Sequence, residues 1–323
     1  MDNKITTPVL FLVFNRPEKT RESFEAIRNA KPTKLYIAAD GPRKGRPDDI
    51  ENCEKVKKIV SNIDWECEVK HLYHENNLGC SFSGKTAWDW FFSYEDEMIF
   101  IEDDGIPSKS FFIYCQELLK KYKNDERVAY IGGVNYGLTY GNASYFVSRP
   151  TPATYSMATW KRVYDLYEYE MESYNETINN KNFKKNFCSH FAYNVYKRMW
   201  NNYLQSIKIG KRLNTYDVQM LYLVHRFNMY SIYPNINMVS NIGLDYGGAN
   251  NNMDPNSSFA KKFGNRPRFE MTEIIHPENF NINNEFEKKM FQQRLLYNKS
   301  IYIAKYNFYI RSFLSKIFHK IFK

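Results

Sequence analysis

The sequence predicts an α/β fold in which a mostly parallel β-sheet is covered by helices on both faces. In the first half of the chain, short apolar runs alternate with segments whose apolar residues recur at helical spacing. Such alternation is typical of parallel sheets, because a parallel pair of strands needs a crossover between them. A polar motif also follows each of four predicted strands. The carboxyl edge of this sheet is therefore where we expect a ligand site.

The sequence pattern predicts the individual strands and helices up to residue 135. The first strand is a continuous apolar run, and the helix after it carries Phe24, Ile27 and Ala30 at helical spacing. A similar apolar face, which includes Cys53 and Val56, predicts the second helix. Strands are predicted at residues 8–14, 34–40, 67–75, 97–104 and 127–135, and helices at residues 18–30, 48–63, 84–94 and 108–124.

Composition sets limits on the class of protein. The 323 residues can bury a substantial core without disulfides or metals, as one large or two closely joined domains. The five cysteines are an odd number and none of them has CxxC spacing, so we expect neither a disulfide framework nor a structural zinc site. The compartment that we expect is the reducing cytoplasm. The N-terminal apolar run is too short to span a membrane and lacks signal-peptide order. The net charge of +9 indicates an anionic partner.

Polar motifs follow four of the predicted strands. Because the carboxyl ends of parallel strands meet at one edge of a sheet, we expect these motifs to lie together. They are Asn15-Arg16-Pro17, Asp40-Gly41-Pro42, Asn76-Asn77-Leu78-Gly79 and Glu102-Asp103-Asp104. The chain has no GxGxxG after its first strand and no GxxxxGK[ST], which argues against a dinucleotide site or a P-loop.

The acidic motif Glu102-Asp103-Asp104 needs a positive partner, because crowded carboxylates repel one another and lose hydration at a buried strand end. A divalent cation that bridges a diphosphate to one or two carboxylates is the usual way to hold such a ligand. The alternative is a solvated turn before the next helix. The four motifs at one edge favour the metal interpretation.

Several segments resemble the bacterial GT-A glycosyltransferases often labelled family 2-like or hemolytic-protein-like. More distantly they resemble eukaryotic N-acetylglucosaminyltransferases, whose acidic motif is also EDD. The segments are NNLGCSFSGKTAWDWFF, FIEDDGIPSKSFFIYCQELLKKYKNDERVAYIGGVN, SMATWKRVYDLYEYEM, NTYDVQMLYLVHRFNMYSIYP and NMVSNIGLDYGG, between residues 9 and 250. The resemblance implies a Rossmann-like GT-A fold with a mixed, mostly parallel sheet, and an inverting transferase that uses a nucleotide sugar.

The resemblance also implies three parts of the chain. Residues 1–140 would form the nucleotide-sugar-binding half of the GT-A domain, and residues 141–280 the acceptor-binding half. Residues 281–323 would form a basic, amphipathic helical tail.

By the same resemblance, Asp104 would ligate Mn²⁺ or Mg²⁺, while Glu102 and Asp103 would contact the ribose or support the metal site. Many relatives carry a His-Thr pair after the NIG motif, where this chain has Ala249-Asn250-Asn251, so the identity of a second metal ligand stays open. His276 is one alternative for it, and a loop position is the other interpretation of that histidine.

The resemblance places the remaining donor contacts as follows. Asn15, Arg16 and Asp40 would frame the nucleobase and ribose, most often uridine in this fold. Two of these residues also have a structural interpretation, since Arg16 precedes a proline suited to a helix start and Asp40 begins a turn sequence.

Asn77, Gly79 and Lys85 would approach the nucleotide and its phosphates, with a solvated helix residue as the alternative for Lys85. Trp160 would belong to the sugar pocket. Its surroundings differ from the Trp-Gly-Trp of many relatives, because Tyr155 and Ser156 stand in this region instead.

An inverting displacement needs a carboxylate that can take the proton of the acceptor hydroxyl. Asp217 in NTYDVQM is the first candidate and Asp245 in GLDYGG the second. Asp217 also fits a helix N-terminus, which is its structural interpretation.

These observations lead to one main hypothesis. A metal-dependent glycosyltransferase would move a sugar from a nucleotide diphosphate, most often UDP, to a polysaccharide or lipid-linked glycan in capsule or lipopolysaccharide assembly. It would work in the cytoplasm, with its tail in contact with the inner face of the bacterial membrane or with protein. The oligomeric state is open.

Two alternatives stay open beside the main hypothesis. One is a noncatalytic carbohydrate- or nucleic-acid-binding module, although the acidic edge would repel a phosphate backbone and we expect no nucleic acid. The other is a sugar nucleotidyltransferase, which would need a Gly-rich loop after the first strand that the chain lacks.

Overall fold

The fold is a mixed, mostly parallel sheet flanked by helices, as predicted. A computed structural model describes residues 4–211, 215–245, 254–295, 303 and 305–310. Eight strands form one sheet in the order β3-β2-β1-β4-β8-β6-β9-β7, and two more, β5 and β10, form a small second sheet. The strands are β1 (Val9–Val13), β2 (Lys34–Ala39), β3 (Glu68–Tyr73), β4 (Glu97–Glu102), β5 (Gly105–Pro107), β6 (Val128–Gly132), β7 (Tyr145–Ser148), β8 (Ser156–Trp160), β9 (Tyr230–Pro234) and β10 (Val239–Asn241).

The helices of the first half connect the parallel strands, and three helices of the second half pack around a core of their own. The helices are α1 (Pro17–Ala30), α2 (Pro47–Val60), α3 (Cys80–Phe92), α4 (Lys109–Lys121), α5 (Lys161–Tyr164), α6 (Tyr174–Asn179), α7 (His190–Lys208), α8 (Asp217–Arg226), α9 (Ser258–Phe263) and α10 (Asn284–Met290), with a 3₁₀ turn at Phe183–Asn186 and a π turn at Phe291–Leu295.

The predicted alternation of strands and helices in the first half is confirmed. Strands β1, β2, β3 and β4 pair in parallel, and β1 is buried along its whole length. Prolines stand at the first positions of α1 and α2, where a missing N–H costs nothing. The fourth strand ends earlier than predicted, at Glu102, because the chain turns at Asp103 and Asp104 before β5.

The second half completes the same sheet and makes it mixed. Strand β8 lies between β4 and β6 and is antiparallel to both. Strand β9 is parallel to β6, and β7 is antiparallel to β9 at the end of the strand order. One sheet therefore takes strands from both predicted halves, residues 1–140 and 141–280.

The small second sheet determines which residues lie next to the acidic motif. Strand β5 pairs antiparallel with β10, and Gly105 lies opposite Asn241. This pairing brings a segment more than a hundred residues away in sequence against the end of β4. The NIG sequence that begins at Asn241 therefore lies beside Asp104.

A second hydrophobic core lies among α6, α7, α8 and the 3₁₀ turn. Aromatic rings dominate it, with Trp200 fully buried at its centre. The imidazole of His225 stacks on Phe187 with ring centroids 4.4 Å apart. This packing holds α8, and with it Asp217 at the helix start, against α7.

The C-terminal part is helical where the structure describes it. Residues 305–310 are helical, while residues 311–323, the main part of the predicted amphipathic tail, lie outside the described residues. Within the described residues no helix is both long and apolar enough to cross a bilayer. All five cysteines are described, and all are free thiols.

Acid should destabilise the fold through His225. Burial lowers the pKa of this imidazole from 6.5 to about 3, and its Nδ1 lies 2.9 Å from the Leu221 carbonyl oxygen. Because the folded pKa lies below the unfolded one, the unfolded state binds the extra proton first, and stability falls as the pH drops below about 6.5. Going from about pH 7.5 to about pH 5 should cost about 2 kcal/mol through this residue.

Urea denaturation at both pH values measures this cost, and His225→Phe is the matched variant because it keeps an aromatic ring against Phe187. The wild type should lose about 2 kcal/mol more than the variant between the two pH values. Equal losses in the two proteins would contradict the assignment.

Candidate active site

A cavity of about 740 Å³ opens at the carboxyl edge of the sheet. This volume lies in the range of small-molecule sites. Its walls come from the ends of β1, β2 and β4, the start of α3, the segment before β8, the start of α8 and the chain after β10. Eight of the predicted site residues line it, namely Arg16, Asp40, Asn77, Gly79, Glu102, Asp103, Asp104 and Asp217.

Arg16 is the positive partner of the acidic motif. Its Nε lies 3.2 Å from one oxygen of Asp103, its Nη2 donates to the other, and its Nη1 donates to Asp104 Oδ2 at 3.1 Å. The three side chains are mostly buried, with 17% of Arg16, 5% of Asp103 and 13% of Asp104 exposed. Burial alone would lower the pKa of Arg16, but Asp103 and Asp104 raise it above its ordinary value.

Strand register explains how these residues meet. Leu12 of β1 lies opposite Glu102 of β4, so the chains that follow the two strands leave the sheet side by side. Pro17 begins α1, and Arg16 before it has the extended φ of −117° that a following proline favours. The guanidinium is thereby presented at the end of β1, next to the turn after β4.

Asp104 is also held from the side of β10. Its Oδ1 lies 3.4 Å from Asn241 Nδ2, and its carbonyl oxygen accepts the N–H of Ile242 at 2.9 Å. A Cβ on Gly243 would overlap Asp104 Oδ2. A side chain at position 243 would therefore displace the Asp104 carboxylate, and glycine avoids this overlap.

Glu102 accepts a hydrogen bond at Oε1 from the hydroxyl of Tyr216. Loss of hydration raises the pKa of Glu102 to about 8, the charge of Asp104 adds to this, and the Tyr216 hydrogen bond opposes it. These surroundings favour the protonated form of Glu102. A Cβ on Gly84 of α3 would lie 2.8 Å from the Tyr216 ring, so this glycine makes room for the ring.

Asp40 serves the turn that carries Asn77 and Gly79. One of its oxygens accepts the N–H groups of Gly41 and Leu78, at 2.9 and 2.7 Å. The other accepts Asn77 Nδ2 at 2.7 Å and the Gly79 N–H at 2.9 Å. Four donors thus saturate the carboxylate, which supports the structural interpretation of Asp40 as the anchor of a cavity wall.

Arg43 is a cavity residue that the sequence did not single out. Its guanidinium pairs with Asp49 at 2.5 and 2.8 Å and lies 5.6 Å from the centroid of the Phe14 ring. Asn15 donates to the same Asp49 at 2.6 Å and does not line the cavity. Asn15 therefore helps to position Arg43 in the cavity wall, because both side chains bind Asp49.

The two candidate bases have different surroundings. Asp217 is the first residue of α8, lines the cavity and accepts a hydrogen bond from Thr154 Oγ1 at 3.1 Å. Asp245 is 2.6 Å from Lys19 Nζ, is 41% exposed and lies outside the cavity lining. Geometry therefore favours Asp217 as the residue that faces a bound ligand.

Three other candidates lie away from this cavity. Lys85 pairs with Asp89 one helical turn along α3, at 2.5 Å. Trp160 is buried in β8, where its indole N–H donates to the Leu119 carbonyl at 3.2 Å. His276 bonds to Tyr145 and Glu117. None of the three lines the cavity, so the structure gives no support for their predicted ligand roles.

The acidic motif could hold a divalent cation only together with ligands that a substrate or water supplies. Within the described part of the chain, no group of three or more His, Cys, Asp or Glu side chains could hold a metal by itself. Hard cations such as Mg²⁺ are often bound by one or two carboxylates together with substrate phosphates and water. Asp104 and Asp103 offer such a donor set, with Arg16 as the group that now occupies it.

Comparisons with known proteins identify no family. No protein-family model matches the chain, and no curated protein matches it. Solved structures with some likeness are TarS 1-349 of S. aureus, HddC from Yersinia pseudotuberculosis and the 4-diphosphocytidyl-2C-methyl-D-erythritol synthase from Anaerococcus prevotii. Their identities are 13%, 9% and 11%, and their TM-scores 0.33, 0.31 and 0.33.

The coverage of these three structures is partial. The alignments cover 51%, 49% and 52% of this chain, and 52%, 78% and 75% of the respective structures. The chain thus spans about half the length of the TarS structure. At these scores the likeness carries no argument about activity, and the description of the fold rests on the strand order above.

Replacing Arg16 should destabilise the protein strongly. Arg16→Met removes the cation and leaves Asp103 and Asp104 as uncompensated buried charges, which should cost about 3–5 kcal/mol in the free energy of unfolding. Lys19→Met is the matched control on the same helix, because its partner Asp245 is 41% exposed. The control should cost about 1 kcal/mol or less. Equal losses in urea denaturation would contradict the assigned role of Arg16.

Proposed function

We propose that this protein is a metal-dependent, inverting glycosyltransferase that moves a sugar from a nucleotide diphosphate, UDP in the first instance, to a glycan acceptor. The observation that carries the proposal is that the acidic motif and Asp217, which are more than a hundred residues apart in sequence, line one cavity. A diphosphate needs positive partners, and a displacement at a sugar carbon needs a base. Both kinds of group stand around the same space.

The donor half of the cavity has features suited to a nucleotide. Phe14 offers an apolar ring and Arg43 a guanidinium at one wall. The turn at Asn77 and Gly79, which Asp40 anchors, forms a further polar wall. These groups suit a base and ribose, while Arg16 and Asp104 stand where the diphosphate would be.

The acceptor half supplies the chemistry of transfer. The acceptor hydroxyl oxygen attacks the anomeric carbon as the bond from that carbon to the diphosphate oxygen breaks. Asp217 takes the hydroxyl proton, and the nucleoside diphosphate leaves with the bonding electron pair. Thr154, which donates to Asp217 at 3.1 Å, orients the carboxylate. Attack on the face opposite the leaving group inverts the configuration.

A divalent cation would be held by Asp104 with help from Asp103. When bound, it supplies positive charge to the diphosphate and makes it a better leaving group. Arg16 moves its hydrogen bonds from the two aspartates toward the phosphates in this proposal, because it cannot satisfy both at once. Polysaccharide or lipid-linked glycans are the acceptor class proposed, in capsule or lipopolysaccharide assembly at the cytoplasmic side of the membrane.

Nucleotide binding should depend on Asp104. In a thermal-shift or urea titration with Mn²⁺, UDP at a hundred times its dissociation constant should stabilise the wild type by about 2.7 kcal/mol. Asp104→Asn should lose most of this stabilisation, because it removes the carboxylate charge that holds the cation. Asp89→Asn is the control, since Asp89 pairs with Lys85 outside the cavity. Unchanged Mn²⁺-dependent UDP binding by Asp104→Asn would show the metal assignment to be wrong.

Transfer should depend on Asp217 and much less on Asp245. Asp217→Asn should retain UDP binding but lose about 10²- to 10⁴-fold in turnover of a UDP sugar, as removal of a general base does. Asp245→Asn should stay within a few-fold of the wild type, because Asp245 faces Lys19 outside the cavity. The measurement is release of UDP with and without a glycan acceptor. The opposite ranking of the two variants would make Asp245 the base.

The same assay separates the other functions. Release of pyrophosphate from a nucleoside triphosphate and a sugar phosphate would identify a nucleotidyltransferase instead. No turnover and no stabilisation by any nucleotide would favour a noncatalytic binding module.

A further inference from the structure

The entire net charge of the chain lies near its C-terminus. Of the 45 Lys and Arg residues, nine lie in residues 288–323, and that segment contains no Asp or Glu. The 36 basic residues that remain equal the 36 acidic residues of the rest of the chain. Residues 1–287 therefore have no formal net charge, and the last 36 residues carry all of the +9.

The helical segment at residues 305–310 within this basic region packs against α7. The ring of Phe308 meets Phe191 of α7 edge to face with centroids 5.6 Å apart. The hydroxyl of Tyr309 accepts a hydrogen bond from Asn194 Nδ2 at 3.3 Å, and Lys305 Nζ lies 5.7 Å from the centroid of the Phe191 ring. Lys305, Phe308 and Tyr309 thus define the inner face of this segment.

The opposite face of the segment is apolar and exposed. At about 100° per residue, Tyr306 and Ile310 lie about 160° from Phe308 around the helix axis. Tyr306 is 67% exposed and Ile310 is 37% exposed. Ile303, one turn earlier, is 56% exposed and lies on the same side. Three large side chains therefore project away from the protein at the spacing of a helix face.

We propose that this outward face, Ile303, Tyr306 and Ile310, docks on an anionic lipid bilayer. A helix with apolar and aromatic residues on one face and many Lys and Arg beside them is the kind that lies in a membrane interface. Each basic residue near an anionic leaflet adds attraction, and no acid in residues 288–323 opposes it.

Charge also selects the bilayer over the other occupants. Two copies of this face would bring two segments of like charge together, which repel each other. Nucleic acid would satisfy the basic residues but would leave Ile303 and Ile310 in water. An anionic bilayer satisfies both the charges and the apolar side chains. The inference is independent of the proposed catalytic function, since it uses none of the cavity residues.

Vesicle cosedimentation of the full chain tests this surface. The protein should bind vesicles made of equal parts phosphatidylcholine and phosphatidylglycerol, should bind phosphatidylcholine vesicles poorly, and should be released as salt shortens the reach of the charges. Ile303→Ser combined with Ile310→Ser should weaken binding about tenfold or more, because both side chains leave water on docking.

Ile50→Ser is the matched control, since Ile50 of α2 is 56% exposed, as Ile303 is. It should bind vesicles as the wild type does, and all variants should unfold at the wild-type temperature because the altered side chains are exposed. No difference between the two lipid compositions, or equal loss in the Ile50 and Ile303 variants, would overturn the proposal. Light scattering that shows a dimer lost only in Ile303→Ser, without vesicle binding, would identify a second copy as the occupant instead.

Discussion

The contact on which the cavity depends is the fork that Arg16 makes with Asp103 and Asp104. Carboxylates at the end of a buried strand are tolerated only when a cation joins them. The cation is Arg16, which follows the neighbouring strand β1 and directly precedes Pro17. The segment that joins β1 to α1 therefore also provides the charge that balances the acids after β4. Guanidinium geometry suits two oxygens of one carboxylate and one of another, which a lysine could not match.

The charge balance around this fork leaves room for another cation. Arg16 offsets one of the two aspartates, and burial raises the pKa of Glu102, which favours its neutral form. Asp104 is held in place by the β10 side through Asn241 and the close approach of Gly243. A carboxylate that is fixed in position but only partly compensated is the arrangement that a metal and a diphosphate together would complete.

Sequence reasoning reached the parts of the site that local geometry determines. Four strand-end motifs could be placed at one edge because parallel strands share their carboxyl side, and the register of β1 and β4 then brings Arg16 to the acids. It did not find Tyr216 or Asn241, because antiparallel pairing and helix packing across more than a hundred residues place them. Trp160 was predicted to line the sugar pocket but is buried in β8. Its position depends on β8 lying between β4 and β6, a long-range arrangement that the local sequence does not indicate.

The distribution of charge separates two tasks. Residues 1–287 have no net charge, so their overall field gives a nucleotide diphosphate no long-range attraction, and recognition must come from groups inside the cavity such as Arg16 and Arg43. Of the basic residues in 288–323, those whose side chains the structure describes, namely Lys288, Lys289 and Lys305, do not line that cavity. On the two proposals made above, groups inside the cavity bind a small anionic ligand, and the basic tail with its exposed Ile303, Tyr306 and Ile310 meets an extended anionic surface. These tasks call for different distributions of charge, because a closed site needs acids and bases in balance, whereas attraction to an extended surface grows with each unbalanced positive charge.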